Sequence, residues 1–460
     1  MNKWFGNAQF YKKVLIVAIP IIIQQMITSF VNLLDNIMVG QVGTLAMSGV
    51  SIAGQLVTIF NLAVFGSVSA CSIFGAQYFG RKDMQGMRYC LRFKLIIEIC
   101  ISLLCILVFT VFSKPLIHLY LSSSSNSVQD IQSTFQFAHQ YLMIMLVGFI
   151  PFSITQSIST TFSETGRTKL PMFSSMSAVL VNLIGNYILI FGHFGFPCLQ
   201  ANGAAVATVL SRFVELGIAI YFTKRYRKDF PFFGDLFKNF KIPTSLMKQI
   251  TIKGTPLVLN EILWSTGIAC IAQCYSTRGI DAVAAYNITC TIQNLFFVFN
   301  IAMGNSISIL VGQQLGAGKL EEAIDTDRKI MVFTFLLSLG VGFVLSLSAP
   351  LFPMLYNTTN AIRQTSTTML RMYGCLLWIG SIYNASYFTL RCGGKTILTF
   401  LFDSVGTLCV SFPVAYIIAH FTSLSIVPMF LILQCVDFYK VILGIYLVHK
   451  RTWVHNLVIE

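Results

Sequence analysis

Asp35 is the residue of this 460-residue chain whose surroundings most clearly suggest chemistry. It closes a run of Gln25, Thr28, Asn32 and Asp35, spaced three, four and three apart, which puts four polar groups on one face of a helix otherwise made of apolar residues. No Lys or Arg stands within a helical turn of Asp35. Ser175, Asn182 and Asn186, spaced seven and four, line one face of a second apolar segment. A carboxylate facing two amides offers hard oxygen ligands suited to Na⁺, or a desolvated acid able to carry a proton. The competing reading is a satisfied hydrogen-bond cluster that joins two helices.

Other polar groups interrupt apolar segments. Glu261 lies one turn after Pro256. Tyr286, Gln293 and Asn300 recur at intervals of seven, with Asn287 and Asn294 beside them, and suggest a lined cavity. Asp403 has no cation nearby in sequence and reads equally as structural or functional. Glu98, Glu215 and Asp437 differ, since Lys94, Arg212 and Lys440 stand three or four residues away and local ion pairing favours a structural role. A charge at the bilayer centre costs about 2.5 to 3.5 kcal/mol, so an unpaired one is a functional candidate by default.

The elements that must hold these groups are read from composition. Hydrophobic residues make up 55% of the chain and charged residues 10%, against about 25% charged in a soluble protein. Twelve apolar runs, each long enough to cross a hydrocarbon core of about 30 Å, extend from residue 14 to residue 448. The longest polar stretch, Lys224 to Lys248, is too short for a soluble domain. Twelve cysteines form no CxxC pair, the six histidines form no HExxH, and no GxxxxGK[ST] stretch supplies a nucleotide site. Intramembrane catalysis and a built-in ATP motor are therefore not expected, and neither is a metal or cofactor beyond a transported ion. The net charge of +14 does not suggest nucleic acid. Of the 31 Lys and Arg, all but Lys114, Arg278, Arg363, Arg371, Arg212 and Lys440 fall on one side if the N-terminus is cytoplasmic, and the positive-inside rule then places both termini inside.

The chain repeats itself. A shift of 236 residues aligns Pro20 with Pro256, Gly43 with Gly279, Phe60 with Phe296, Gln77 with Gln313 and Gly80 with Gly316; a shift of 228 aligns Gly166-Arg167-Thr168 with Gly394-Lys395-Thr396. The fold expected is an all-α integral membrane protein of twelve transmembrane helices. Two six-helix lobes would be related by a pseudo-two-fold axis along the membrane normal: an N-lobe over 1–222, a basic cytoplasmic linker over 223–248 and a C-lobe over 249–460. Pro20 and Pro256 kink equivalent helices and are candidate hinges. Gln25 and Glu261 are repeat mates and could both face a cleft between lobes. Tyr286, Gln293 and Asn300 have Val50, Val57 and Val64 as mates, so the scaffold does not require their polarity.

Pro20 followed by Asp35, Val39-Gly40, Val42-Gly43, the Gln77-x-x-Gly80 and Gln313-x-x-Gly316 pairs, Asn182 with Asn186, and Ala207-Thr208 resemble the multidrug and toxic compound extrusion (MATE) transporters over nearly the whole chain. The resemblance implies export of small amphipathic, mostly cationic compounds across a plasma membrane, such as a bacterial inner membrane, by a monomer that exchanges them for Na⁺ or H⁺. It puts the coupling cation on Asp35, Asn182, Asn186 and Thr208, with bending at Pro20. Where several members carry an acid on the seventh helix this chain has Trp264, with Glu261 a turn earlier, and it has no acid near Trp378, Gly380 and Ser381 on the tenth. An alternative is flipping of a lipid-linked oligosaccharide or similar amphiphile, which would call for basic residues in the cavity.

Overall fold

The structure is a computed structural model that describes residues 4–121, 128–234, 236, 238, 241–356 and 358–458, less the side chains of Asn32, Leu33, Asn36 and Val128. Asn32, expected on the polar face beside Asp35, therefore lies outside the described side chains. The regular structure is helical throughout the described residues. In the first half the helices are α1 (Ala8–Gly40), α2 (Thr44–Gly80), α3 (Met84–Val111), α4 (Ser113–Leu121), α5 (Val128–Val147), α6 (Phe149–Glu164), α7 (Lys169–Phe191) and α8 (Ala201–Arg225). In the second they are α9 (Thr244–Ser276), α10 (Ile280–Gly316), α11 (Leu320–Ser348), α12 (Leu351–Met354), α13 (Asn360–Cys392), α14 (Thr396–Phe400), α15 (Phe412–Phe421), α16 (Ile426–Val436) and α17 (Phe438–His449).

Ten of these segments are apolar and long enough to cross a membrane by themselves; α5 and α6, bent by 48° at Gly148, make an eleventh. With α13, which spans 33 residues but is more polar, the described residues hold the twelve spans expected. Sequence chemistry sets several ends. Asp83 caps α3 by accepting from Gln85 and Gly86 amides (3.0 and 2.8 Å), the usual role of a short carboxylate before a first turn. Gly192, at φ 75°, closes α7 in the left-handed conformation that suits glycine. Between α14 and α15 the helix widens into two π-helical turns, Leu401–Val405 and Thr407–Ser411. Such turns are rare and concentrate at functional sites.

The chain divides into two compact units. One contains the chain up to Ile22, Ala76–Lys82 and the chain from Thr251 onward; the other contains Ile23–Gly75 and Asp83–Ile250. We call them the C-terminal and N-terminal units. The first division falls inside α1, two residues after the buried Pro20. The motif glycines explain why the end of α2 goes with the C-terminal unit. A Cβ on Gly80 would collide with the Gln313 carbonyl, and one on Gly316 with the Gln77 carbonyl, so each Gln-x-x-Gly repeat packs its glycine onto the other's backbone. Gln77 then donates to the Cys392 carbonyl (3.0 Å) and accepts from the Leu457 amide (2.8 Å).

Each unit has its own apolar core. In the N-terminal unit Phe60 stacks on Phe149 with centroids 3.7 Å apart, within a cluster that includes Leu56, Phe109, Leu142 and Val209. In the C-terminal unit one cluster gathers Val14, Met303, Val311, Phe388 and Trp453, and a second Tyr275, Ala285, Met369 and Phe430. Leu104, Leu107, Phe343 and Leu347 remain exposed on the faces of α3 and α11, as hydrocarbon contact requires.

Candidate functional site

The polar faces of α1 and α7 meet inside the N-terminal unit. Asp35 is half-buried, while Asn182 and Asn186 are buried. Asn186 Nδ2 donates to Asp35 Oδ1 at 2.5 Å. The Asn182 amide lies between the carboxylate and α8: one end is 3.2 Å from both Asp35 oxygens, the other 3.1 Å from Thr208 Oγ1. With nitrogen toward Asp35, the amide donates to the carboxylate, which only accepts. With the amide turned over, it donates to Thr208, whose own hydroxyl donates to the Ala204 carbonyl (2.9 Å). Its oxygen then accepts from Asn186 Nδ2 (3.3 Å) and lies 3.2 Å from both carboxylate oxygens, an oxygen-rich corner that a cation or a proton would relieve. The arrangement thus has one amide orientation suited to an empty carboxylate and another suited to an occupied one.

Further along the same pair of helices, the residue that reaches α7 is Gln24, not Gln25. Gln24 Nε2 donates to Ser175 Oγ (2.8 Å), and Ser175 Oγ donates to Glu215 Oε1 (2.6 Å). Glu215 is therefore held from α7, whereas Arg212 turns to the Gly148 carbonyl (3.3 Å) and over the Phe152 ring (4.6 Å). The i,i+3 spacing did not reveal this division. Gln25 and Gln293 are half-buried and make no hydrogen bond among the described residues.

The remaining candidates fall in the C-terminal unit. Asn300 accepts from Ser381 (2.6 Å) and is buried, joining α10 to α13. The Tyr286 ring lies 4.4 Å from that of Tyr275, tilted by 30°, against an apolar cluster. Glu261 interacts electrostatically with Arg391 and Asp403. Pro256 lies inside α9, as Pro20 does inside α1. Asp403 is not unpaired: Asn260 donates to it (3.0 Å) and the Lys440 ammonium lies 3.7 Å away. Sequence proximity missed that pair because the partner comes from another helix.

Two more acids, not singled out from the sequence, are buried. Glu164 binds Lys94 at 2.6 Å with both side chains buried, so Lys94 serves Glu164, while Glu98 accepts from Ser67. Asp327, also buried, accepts from Thr389 (2.5 Å). A signal for the first existed in the Ser- and Thr-rich face of α6, since Thr160 and Thr161 both approach the Lys94 ammonium at 3.2 Å.

The profile of the MatE family matches residues 20–188 and 256–417. The chain belongs to the MatE family. MatE proteins are transporters, so the chain is not an enzyme. Among curated relatives, the probable multidrug resistance proteins NorM of Thermotoga maritima and of Halalkalibacterium halodurans are each 24% identical to it. Both matches cover 90% of this chain, and 87% and 88% of the respective relatives. A solved structure of a multidrug resistance MATE family transporter of the MOP superfamily, in an outward-facing conformation, superposes with a TM-score of 0.83 at 19% identity. That match covers 98% of this chain and 97% of the other. The two matched MatE segments begin at Pro20 and at Pro256, the shift of 236 found in the sequence.

The MatE repeat allows a direct check on the Asp35 site. The same shifts, with the starts of α8 and α16 aligned, give Asp35, Asn182, Asn186 and Thr208 the mates Ile271, Val410, Val414 and Leu433. Ile271, Val414 and Leu433 belong to an apolar cluster. The polar site is confined to one repeat.

Proposed function

We propose that this chain is a cation-coupled antiporter that exports small organic cations, drugs among them, from the cytoplasm, with Asp35 as the carboxylate that takes up the coupling Na⁺ or H⁺. The observation that carries this reading is the half-buried Asp35 carboxylate held by the neutral Asn186 amide, which also donates to Asn182 beside Thr208. The NorM relatives support the drug class of the cargo. Drug and cation bind in opposed states of an alternating-access cycle, with Pro20 and Pro256 as the points where α1 and α9 bend. One charge moving through about 100 mV supplies about 2.3 kcal/mol, roughly a fiftyfold cargo gradient at about 1.4 kcal/mol per factor of ten. The distribution of basic residues supports cytoplasmic termini, and the bacterial source of the NorM relatives supports a bacterial inner membrane. The protein works as a monomer. Flipping of a lipid-linked anion is less well supported, because the buried ammonium groups already face carboxylates: Lys94 that of Glu164, Lys440 those of Asp403 and Asp437.

Proteoliposomes loaded with a fluorescent organic cation and energised separately by a Na⁺ and a pH gradient test the reading. One gradient should drive transport in the wild-type chain and neither in Asp35→Asn. Wild-type rates in a well-inserted Asp35→Asn protein would reject Asp35 as the coupling group.

A further inference from the structure

The charged side chains around Asp403 form a cluster with an unusual centre. Lys440 is buried, and its ammonium lies 3.7 Å from Asp403 Oδ1, 3.5 Å from Asp437 Oδ1 and 2.9 Å from Thr407 Oγ1. The Tyr383 ring lies beneath it, with the ammonium 5.2 Å from the centroid. Asp403 and Thr407 stand on the two π-helical turns, so the extra residue in each turn helps bring a carboxylate and a hydroxyl to the same point. Asn260 on α9 donates to the other Asp403 oxygen (3.0 Å) and accepts from Ser404 (2.6 Å). Ser411 donates to Asp437 (3.2 Å). Tyr439 and Tyr275, and beyond Asn260 Tyr387 with the Glu261–Arg391 pair, are the other charged and titratable groups in reach.

The repeat relates this cluster to a differently charged one. The shifts that align the two halves pair Asn260 with Gln24, Asp403 with Ser175, Asp437 with Arg212 and Lys440 with Glu215. In the N-terminal unit the corresponding group is therefore a carboxylate hydrogen-bonded through a serine to an amide, with its cation turned away to Gly148 and Phe152. In the C-terminal unit the i,i+3 pair is reversed, and the helix facing it supplies an acid where the other supplies a hydroxyl. The result is an ammonium held among oxygen ligands, two carboxylates and a hydroxyl, and over an aromatic face. Those are the ligands a free monovalent cation would take.

We propose that Lys440 is a tethered cation that permanently fills a monovalent-cation site formed by Asp403, Asp437 and Thr407, so that this repeat exchanges no ion. Ion exchange is then left to the Asp35 site. The inference concerns occupancy of the Asp403 site alone, and only its consequence for coupling rests on the function proposed above. With the ammonium removed, two carboxylates face each other across a vacated volume. Their repulsion is relieved by a hard monovalent cation or by a proton shared between them.

The test is cation binding to the purified full-length chain, with radiolabelled Na⁺ in one arm and proton uptake in unbuffered solution in the other. Lys440→Met should bind more than wild type in at least one arm, a gain equal to a second site on each chain. Adding Asp403→Asn should remove the gain, and Lys440→Arg, which keeps the charge, should show none. The gain should persist in an Asp35→Asn background, so a failure of the Asp35 reading and a failure of this one are distinguishable. Should Lys440→Met be too unstable to purify in low salt, the second readout is its thermal midpoint against Na⁺ concentration and against pH. The midpoint should then rise more steeply with Na⁺ or with acid than that of the wild type. No added binding in either arm, together with a wild-type response of the midpoint, would overturn the proposal.

Discussion

Asp35 and Asp403 are both carboxylates held by an asparagine from a neighbouring helix, yet one faces neutral groups and the other an ammonium. Around Asp35 the partners are Asn186 and Asn182, with Thr208 behind them. Around Asp403 they are Asn260 and Lys440, with Asp437 closing the other side. The repeat provides the same helices in both units, so the helical scaffold does not dictate where polarity goes. The Asp35 mates are Ile271, Val410, Val414 and Leu433, and the Asp403 mate is Ser175. Each unit has placed its acid at a position the other leaves without one. A carboxylate with neutral partners can gain and lose a cation; one clamped to a lysine has a counter-ion that cannot leave.

The sharpest way to break this comparison is to neutralise each acid in turn. Asp35→Asn should reduce gradient-driven efflux to background. Asp403→Asn should retain gradient-driven efflux, because Lys440 keeps Asp437 as a partner, and should lose about 1–3 kcal/mol of stability for the altered buried contact. Equal losses of transport in the two variants would end the distinction. Lys94 supplies the next largest effect. Lys94 and Glu164 form a buried pair with the two side chains 0% and 4% exposed, and breaking such a pair costs about 3–5 kcal/mol. Lys94→Met should therefore lower the thermal midpoint strongly, and Lys94→Met with Glu164→Gln should recover much of the loss. No recovery in the double variant would show that the lysine acts through something other than this carboxylate.

Asn186→Ala probes the neutral side of the comparison. It removes the donor 2.5 Å from Asp35 and leaves one carboxylate oxygen under-satisfied, at about 1–3 kcal/mol. Cation half-saturation in transport should shift by roughly five- to a hundredfold, with little change in maximal rate. Loss of rate at unchanged half-saturation would assign Asn186 to the conformational step.

Much of this was readable from residue type and spacing. The spans follow from apolar runs, the duplication from fixed shifts, and the joining of Asp35 to Asn182 and Asn186 from two polar faces at helical spacing. The unreadable parts share a physical cause. Ion pairing was judged from neighbours on the same helix, but in a bundle the strongest partners come from other helices: Lys94 bypasses Glu98 for Glu164, Glu215 is held by Ser175, and Asp403 finds Lys440. Gln24 was passed over for Gln25, because a stripe of three- and four-residue steps does not fix which of two adjacent glutamines faces the partner helix. The boundary of the compact units was also hidden. It depends on Gly80 and Gly316 packing onto backbone from distant parts of the chain, and the Gln-x-x-Gly motif marked the residues without saying what they touch.

The smallest expected effect concerns Thr208. Its hydroxyl donates to the Ala204 carbonyl and lies 3.1 Å from Asn182, so it acts on Asp35 only by setting which way that amide points. Thr208→Val keeps the shape and deletes that control, at about 0.5–1.5 kcal/mol for one neutral hydrogen bond. The turned-over amide would have nothing to donate to, so the orientation that offers oxygen to a cation weakens while the empty-site orientation loses less. Half-saturation for the coupling cation should rise by about two- to tenfold, with the thermal midpoint nearly unchanged in the absence of that cation. The reciprocal change, Leu433→Thr, places a hydroxyl at the mate position, inside an apolar cluster. It should leave coupling untouched and cost only the burial of a polar group in an apolar cluster. If Leu433→Thr shifted cation half-saturation as much as Thr208→Val, the confinement of the site to one repeat would be wrong.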